Sequence, residues 1–276
     1  MPRQRASLHV LVAIALAAPA ALAEPVAAGP PPDATLVEYA TGRKGFFYRP
    51  DGPGPFPVVV WNHGSEQRPG WQTDLAHFYV SHGWAFLLPH RRGHGQSPGD
   101  YIGDERDNAK LVALLDEHNG DVVAAIAWVK TQPKIDPARV VVSGCSFGGI
   151  ETLITAAKDV GIRAAVPFAP GAIMWQRTPE LRDRLTRAAR EAKVPVFLVQ
   201  AENDFDVSPS RVLGPELEKT DRAHNRVRIY PRFGTTALDG HGGFCTRGFT
   251  VWGTDVLEFL DRAAAPSPRP PSKAAR

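Results

Sequence analysis

Along this chain the spacing of hydrophobic positions switches repeatedly between two patterns. Phe56-Pro-Val-Val-Val-Trp-Asn62 is a continuous apolar run without polar alternation, the pattern of a strand covered on both faces. Trp84–Pro89, Val140–Ser143, Arg163–Phe168, Val194–Gln200 and Arg226–Tyr230 read as further strands. Between them lie segments with helical spacing: Thr73–His82, Glu105–Leu115, Gly120–Gln132, Phe147–Lys158, Glu180–Ala192, Ser210–Thr220 and Phe249–Arg262. In Gly120–Gln132, for instance, Val122, Val123, Ile126 and Val129 share a face. Two strand-like runs, Thr35–Ala40 and Gly45–Arg49, come first and are predicted to pair antiparallel. The Pro and Gly cluster Arg49–Pro55 is predicted to be a hairpin loop. Strands alternating with helices predict an α/β fold with a mainly parallel, doubly wound sheet flanked by helices. In such a sheet, ligands and chemistry sit at the carboxyl ends of the strands.

The two ends of the chain follow other rules. Met1-Pro-Arg-Gln-Arg5, the apolar stretch Leu8–Ala18 and Ala21-Leu22-Ala23 together predict an export signal cleaved after Ala23. The apolar stretch is shorter than the roughly 18 residues that a bilayer span requires, so no membrane span is expected in the mature chain. Residues 24–34 read as a flexible lead, 35–261 as one α/β domain, and 262–276 as a solvated tail rich in Pro, Ala and basic residues. The product is expected to be periplasmic or secreted. Charge supports no nucleic-acid partner. Of 32 basic and 29 acidic residues, the signal takes Arg3 and Arg5 and the tail takes Arg262, Arg269, Lys273 and Arg276, which leaves 26 against 29.

Gly144-Cys145-Ser146-Phe147-Gly148-Gly149 follows the strand Val140–Ser143 and precedes a helix, the context of a nucleophile elbow. A serine hydroxyl is a poor nucleophile at neutral pH, so Ser146 needs a base and the base needs an orienting acid. The expected order is Ser, acid, His. Downstream of Ser146 the histidines are His224 and His241. His224 precedes a strand and so lies at the wrong end of the sheet. His241, in the glycine-rich loop Asp239–Phe244, is therefore the candidate base. Asp204, after the strand Val194–Gln200, is the candidate acid, ahead of Asp206 and Glu202; capping of the next helix is the structural alternative for the two aspartates. Oxyanion donors are expected from the backbone N–H groups of Phe147 and of Ser65, in the loop Asn62-His63-Gly64-Ser65-Glu66. His63 precedes Ser146 and reads as a residue that shapes this loop.

These pieces resemble the α/β-hydrolase superfamily, in its dienelactone-hydrolase and prolyl-oligopeptidase-related branch. The resemblance rests on His63-Gly64, Arg91-Arg-Gly-His-Gly-Gln-Ser97, the segment Asp121–Asp136, the elbow, Asp204 and His241. It implies an α/β-hydrolase fold and a catalytic triad Ser146, Asp204 and His241. Dienelactone hydrolases carry Cys where this chain has Ser146. The space between Gly171 and Lys193 admits about one helix, so no large lid is expected.

Cys145 and Cys245 are the two cysteines of the chain. In an exported protein they are expected to form a disulfide, because a working triad brings their neighbours together. The arrangement is similar to that of tannases and fungal feruloyl esterases, although there the second cysteine directly follows the histidine. A buried thiol at Cys145 with a free Cys245 is the other arrangement. Trp71, Met174 and Trp175 are expected to line the pocket, and the Arg91–Gly95 loop to be a structural turn whose arginines pair with acids. No metal or other cofactor is called for. The expected activity is hydrolysis of small-molecule carboxylic esters through an acyl-enzyme. A small peptidase or amidase, or a noncatalytic binding protein of the same fold, are the other readings.

Overall fold

The structure, a computed structural model, describes residues 31, 33–220 and 224–265. The expected export signal, residues 24–30 and 32, and the tail from 266 lie outside the described residues. Strands β1 (Thr35–Ala40), β2 (Arg43–Tyr48), β3 (Phe56–Asn62), β4 (Ala85–Pro89), β5 (Ile135–Cys145), β6 (Ala164–Phe168), β7 (Phe197–Ala201) and β8 (Arg226–Tyr230) form one sheet. Its order is β1-β2-β4-β3-β5-β6-β7-β8. The β1–β2 and β2–β4 pairs are antiparallel, and every later pair is parallel.

Among the described residues, seven α-helices cover the sheet: α1 (Thr73–Ser81), α2 (Asn108–Val129), α3 (Phe147–Ala156), α4 (Pro179–Arg190), α5 (Ser208–Thr220), α6 (Phe244–Arg247) and α7 (Phe249–Ala263). The continuous apolar runs are explained by burial on both faces. Val58 and Val60 pack with the faces of α2 to α5, while Val59 and Trp61 pack with α1, α6 and α7. Among the described residues, no helix is long and apolar enough to cross a membrane.

Two expectations fail here. Arg49–Pro55 is not a hairpin loop, because β4 lies between β2 and β3 and the segment carries the chain across it. The fully buried β4 needs hydrogen-bonded neighbours at both edges, and β2 supplies one through Tyr48 opposite Phe86. Nor are there two helices around Gly120, because Asn108–Val129 is a single helix. Asp107 caps it, accepting a hydrogen bond from Lys110 N at 2.9 Å. A mid-helix glycine costs about 1 kcal/mol. Burying Leu111, Leu115, Val122, Ile126 and Val129 contributes roughly 1.5–3 kcal/mol for each large side chain and outweighs it.

Candidate active site

The carboxyl ends of β3, β5, β6 and β7 converge on one region. Strand β5 ends at Cys145 and α3 begins at Phe147, so Ser146 alone makes the turn, at φ 57° and ψ −115°. A non-glycine residue held in such a region costs on the order of 1–3 kcal/mol. Surrounding bonds maintain it: Ser146 N donates to Phe168 O at 3.0 Å and Ser146 O accepts from Ile150 N at 3.0 Å. The glycines after it are required by close approach. A Cβ on Gly148 would lie 1.9 Å from Asn62 O, and one on Gly149 would lie 2.3 Å from Phe168 O. Phe147 N–H opens α3 and so has no intrahelical acceptor.

His241 and Asp204 meet. The ring donates from Nδ1 to Asp204 Oδ1 at 2.8 Å, and both side chains are buried. The carboxylate is fixed further by Gln200 Nε2, which donates to Oδ2 at 2.8 Å, and by Phe205 N, which donates to Oδ1 at 2.6 Å. Gln200 is itself oriented by Ser210, whose hydroxyl donates to Oε1 at 2.5 Å. With its proton committed to Asp204, His241 presents an Nε2 lone pair, and this buried atom has no hydrogen-bond partner. Nε2 is thus not bonded to Ser146 Oγ. Asp206 faces elsewhere, accepting from Ser208 N at 2.8 Å and Gln176 Nε2 at 2.7 Å. Glu202 is exposed.

His241 does not sit in a loop, as its glycines suggested, but in a π-helical turn, Asp239–Gly243, that runs into α6. Asn203, which the sequence did not single out, clamps the segment that leads into this turn. Its amide donates to Phe233 O at 3.0 Å and Thr236 O at 2.8 Å, and its Oδ1 accepts from Phe233 N at 2.9 Å. A Cβ on Gly240 would lie 2.7 Å from the Asn203 backbone, so the turn rests directly on the loop that carries Asp204. Cys145 and Cys245 are joined in a disulfide with Cα atoms 5.9 Å apart, so the residue before Ser146 is tied to the helix that follows His241.

The loop after β3 is held from below by Arg91. Its Nη1 donates to His63 O at 2.9 Å and its Nη2 to Gly64 O at 2.8 Å. On the other side, the Tyr101 hydroxyl donates to Ser65 O. The expectation that both arginines pair with acids holds for Arg92, 2.8 Å from Asp121 Oδ1, but not for Arg91.

Around Arg91 four histidines are packed out of water. Ring centroids lie 4.7 Å apart for His63 and His94, 5.9 Å for His63 and His90, and 5.8 Å for His94 and His118. His90 and His94 are four apart in sequence, yet among the described residues no group of three or more His, Cys, Asp or Glu is arranged to hold a metal. Burial, with the Arg91 charge adding to it, lowers His90 and His94 to about 4 and His118 to about 3, and holds His63 well below the ordinary 6.5. Burial raises Glu151 to about 7.

A pH dependence of stability follows. Between pH 6.5 and about 4 the unfolded chain binds protons at four histidines that the folded chain refuses, so their contribution is lost as pH falls. Glu151 opposes this with one proton that the folded state holds up to about pH 7, a contribution lost as pH rises. The histidines outnumber it. Thermal or urea unfolding is therefore expected to come progressively earlier from pH 7 to pH 5, with net proton uptake; an unchanged midpoint would contradict the assignment.

The expected pocket lining needs correction at Met174 and Trp175. Met174 (6 % exposed) and Trp175 (3 %) are core residues packed among the hydrophobic side chains of α2 to α5, and Trp71 is half-buried with its ring 4.3 Å from that of Phe46. The large exposed hydrophobics here are Ile173, Phe205 and Leu238. Phe205 (49 % exposed) sets its ring edge-to-face against His241 at 5.5 Å.

Sheet order, strained elbow and buried Asp–His pair define an α/β hydrolase. The model of the family described as X-Pro dipeptidyl-peptidase (S15 family) matches residues 46–183, half of the 276-residue chain, and the chain belongs to that family. The match includes Ser65 and Ser146 and ends before Asp204. The chain is 34 % identical over 130 residues to the quorum-quenching protein AidA of Acinetobacter baumannii, covering 46 % of this chain and 40 % of that one. It is 30 % identical over 151 residues to the polyketide transferase grgF of a Penicillium species, covering 52 % and 48 %. It thus spans less than half the length of these relatives. Among solved structures, the propionate-bound esterase Est2 of Thermogutta terrifontis shares the fold with a TM-score of 0.59 at 19 % identity, over 86 % of this chain and 97 % of that one.

Proposed function

We propose that the protein is an exported serine hydrolase that cleaves carboxylic esters through an acyl-enzyme. The observation that carries this reading is the buried Asp204–His241 pair, with Nε2 unpartnered and the helix after His241 joined by a disulfide to the elbow bearing Ser146. Ser146 Oγ attacks the ester carbonyl while Nε2 takes its proton, and Asp204 stabilises the imidazolium. The carbonyl oxygen gains the electron pair and is held by the N–H groups of Phe147 and Ser65. Collapse expels the alkoxide, which takes the proton from His241, and water then releases the acid by the same steps in reverse.

The family's name favours a second reading, cleavage of peptides after proline. The two are separated by comparing p-nitrophenyl esters with X-Pro p-nitroanilides. Ester turnover with no anilide turnover is expected, and the opposite result would replace this reading by the second.

The exposed Phe205, Ile173 and Leu238 suit an apolar acyl or alkyl group. Gln176, donating to Asp206, ties the Ile173 segment to the Phe205 segment. Phe205→Ala is expected to lower kcat/KM for hexanoate esters about fivefold to tenfold relative to acetate esters, the loss of roughly 1 kcal/mol of aromatic contact. An unchanged ratio would remove Phe205 from the substrate site.

A further inference from the structure

Arg91 is a charged side chain in an unusual place. It is 1 % exposed, and its guanidinium reaches backbone carbonyls rather than a carboxylate. Glu151 acts on it electrostatically, but no carboxylate among the described residues bonds to it directly, and burying a cation costs several kcal/mol, so the contacts it does make are informative. Both carbonyls belong to the loop at the end of β3, on the peptide units His63–Gly64 and Gly64–Ser65. The cis peptide bond recorded in the described chain is Gly54–Pro55, so these units are trans. Across a trans peptide the C=O and N–H point in opposite directions. With Gly64 O drawn down onto Arg91, Ser65 N–H of the same unit must point away from the buried guanidinium.

His63 completes the restraint. Its Nε2 accepts from Arg91 N at 3.3 Å, which places its proton on Nδ1, and Nδ1 lies 2.9 Å from Gly64 O. Gly64 O thus accepts from both Arg91 and His63, and Tyr101 holds the next carbonyl, that of Ser65. The Gly64–Ser65 unit cannot flip without leaving these buried donors unpaired. A cation bonded to the carbonyl also draws electron density along the peptide and makes its N–H a stronger donor.

We propose that Arg91 is a positioning residue for the oxyanion: it locks and polarises the Gly64–Ser65 peptide so that Ser65 N–H is presented to the developing charge. The proposal rests on the esterase reading above and goes beyond it, since it assigns the donor's strength and direction to a side chain that never touches substrate.

The test is a double-mutant cycle on p-nitrophenyl acetate, preceded by fluorophosphonate labelling of the wild type at Ser146. Arg91→Lys keeps the charge but not the fork that spans two carbonyls, and is expected to lower kcat about 10²-fold with KM changed by less than about twofold, the signature of a transition-state contact. Ser65→Pro removes the N–H itself and is expected to lower kcat by a similar factor. Adding Arg91→Lys to Ser65→Pro should then cost little more, whereas a merely structural role would multiply the two losses.

Arg91→Lys with kcat within about twofold of wild type, or a fully multiplicative double variant, overturns the proposal. Should Arg91→Lys fail to fold, Ser65→Pro, in a half-buried surface loop, decides: unchanged kcat there removes the donor that Arg91 is said to present. If the wild type itself does not label at Ser146, the esterase reading falls and this proposal with it. Labelled, active wild type beside unaffected variants sinks this proposal alone.

Discussion

Ser146→Ala is expected to abolish fluorophosphonate labelling and to lower ester turnover by about 10⁶, with the folded structure retained. Alanine has the same Cβ as serine, so the elbow at φ 57° is no more strained than before, and Ser146 N still reaches Phe168 O. What is lost is the atom proposed to form the acyl-enzyme. Asp204→Asn should lower turnover by about 10⁴, because an amide in place of the carboxylate favours the wrong imidazole tautomer and withdraws the charge that stabilises imidazolium. Combined with Ser146→Ala it should add almost nothing, since the three groups act as one unit. Asp206→Asn is the control: its carboxylate serves Ser208 and Gln176, and its loss should leave kcat nearly unchanged while weakening the start of α5. Labelling that survives Ser146→Ala, or a larger kcat effect at Asp206 than at Asp204, would reassign the machinery.

Replacing both cysteines by alanine should lower stability and activity together. Cys145 and Cys245 close 100 residues, and restricting the unfolded chain over a loop of that length contributes roughly 4.7 kcal/mol on the chain-entropy model, an upper figure. Alanine at both sites leaves no buried thiol unpaired. The catalytic consequence is separate. The bridge joins the residue before Ser146 to the short helix after His241, and a shift of about 1 Å between reacting groups can cost 10²-fold in rate. Urea unfolding with and without reductant reads the first effect, and kcat at a temperature where the variant remains folded reads the second. Two free thiols in the unfolded, unreduced wild type would dispose of the bridge. A variant with unchanged kcat would restrict the bridge to stability.

The residues of this site differ in how far they could be read from the chain alone. Ser146 was legible because an elbow imposes a local pattern: a buried strand, then glycines wherever backbone comes too close for a Cβ. Asp204 and His241 were legible through chain order and strand ends. Their hydrogen bond, the direction in which Asp206 faces and the helical winding of the His241 turn were not. Met174 and Trp175 show the same limit from the other side, since an aromatic segment at a strand end reads alike whether its rings face the cleft or the core. Arg91 is the clearest case. Next to Arg92 in sequence, it differs from it only in which neighbours the fold supplies: Asp121 for one, two main-chain carbonyls for the other.

By itself, then, the amino-acid sequence determined what short-range physics controls: the alternation of buried strands and helices, the elbow with its required glycines, and the polarity of the loops that follow each strand. The tertiary structure alone decided which distant groups meet. Strand order placed β4 between β2 and β3, burial on one face overrode the glycine break in α2, and Gly240 packs against Asn203 beside the His241–Asp204 contact. The physical reason is range. Backbone sterics and periodic burial act over a few residues and leave their mark in local composition, whereas a hydrogen bond between residues 37 apart, as from His241 to Asp204, or a cation enclosed under a loop from another strand, exists only once the sheet has assembled around it.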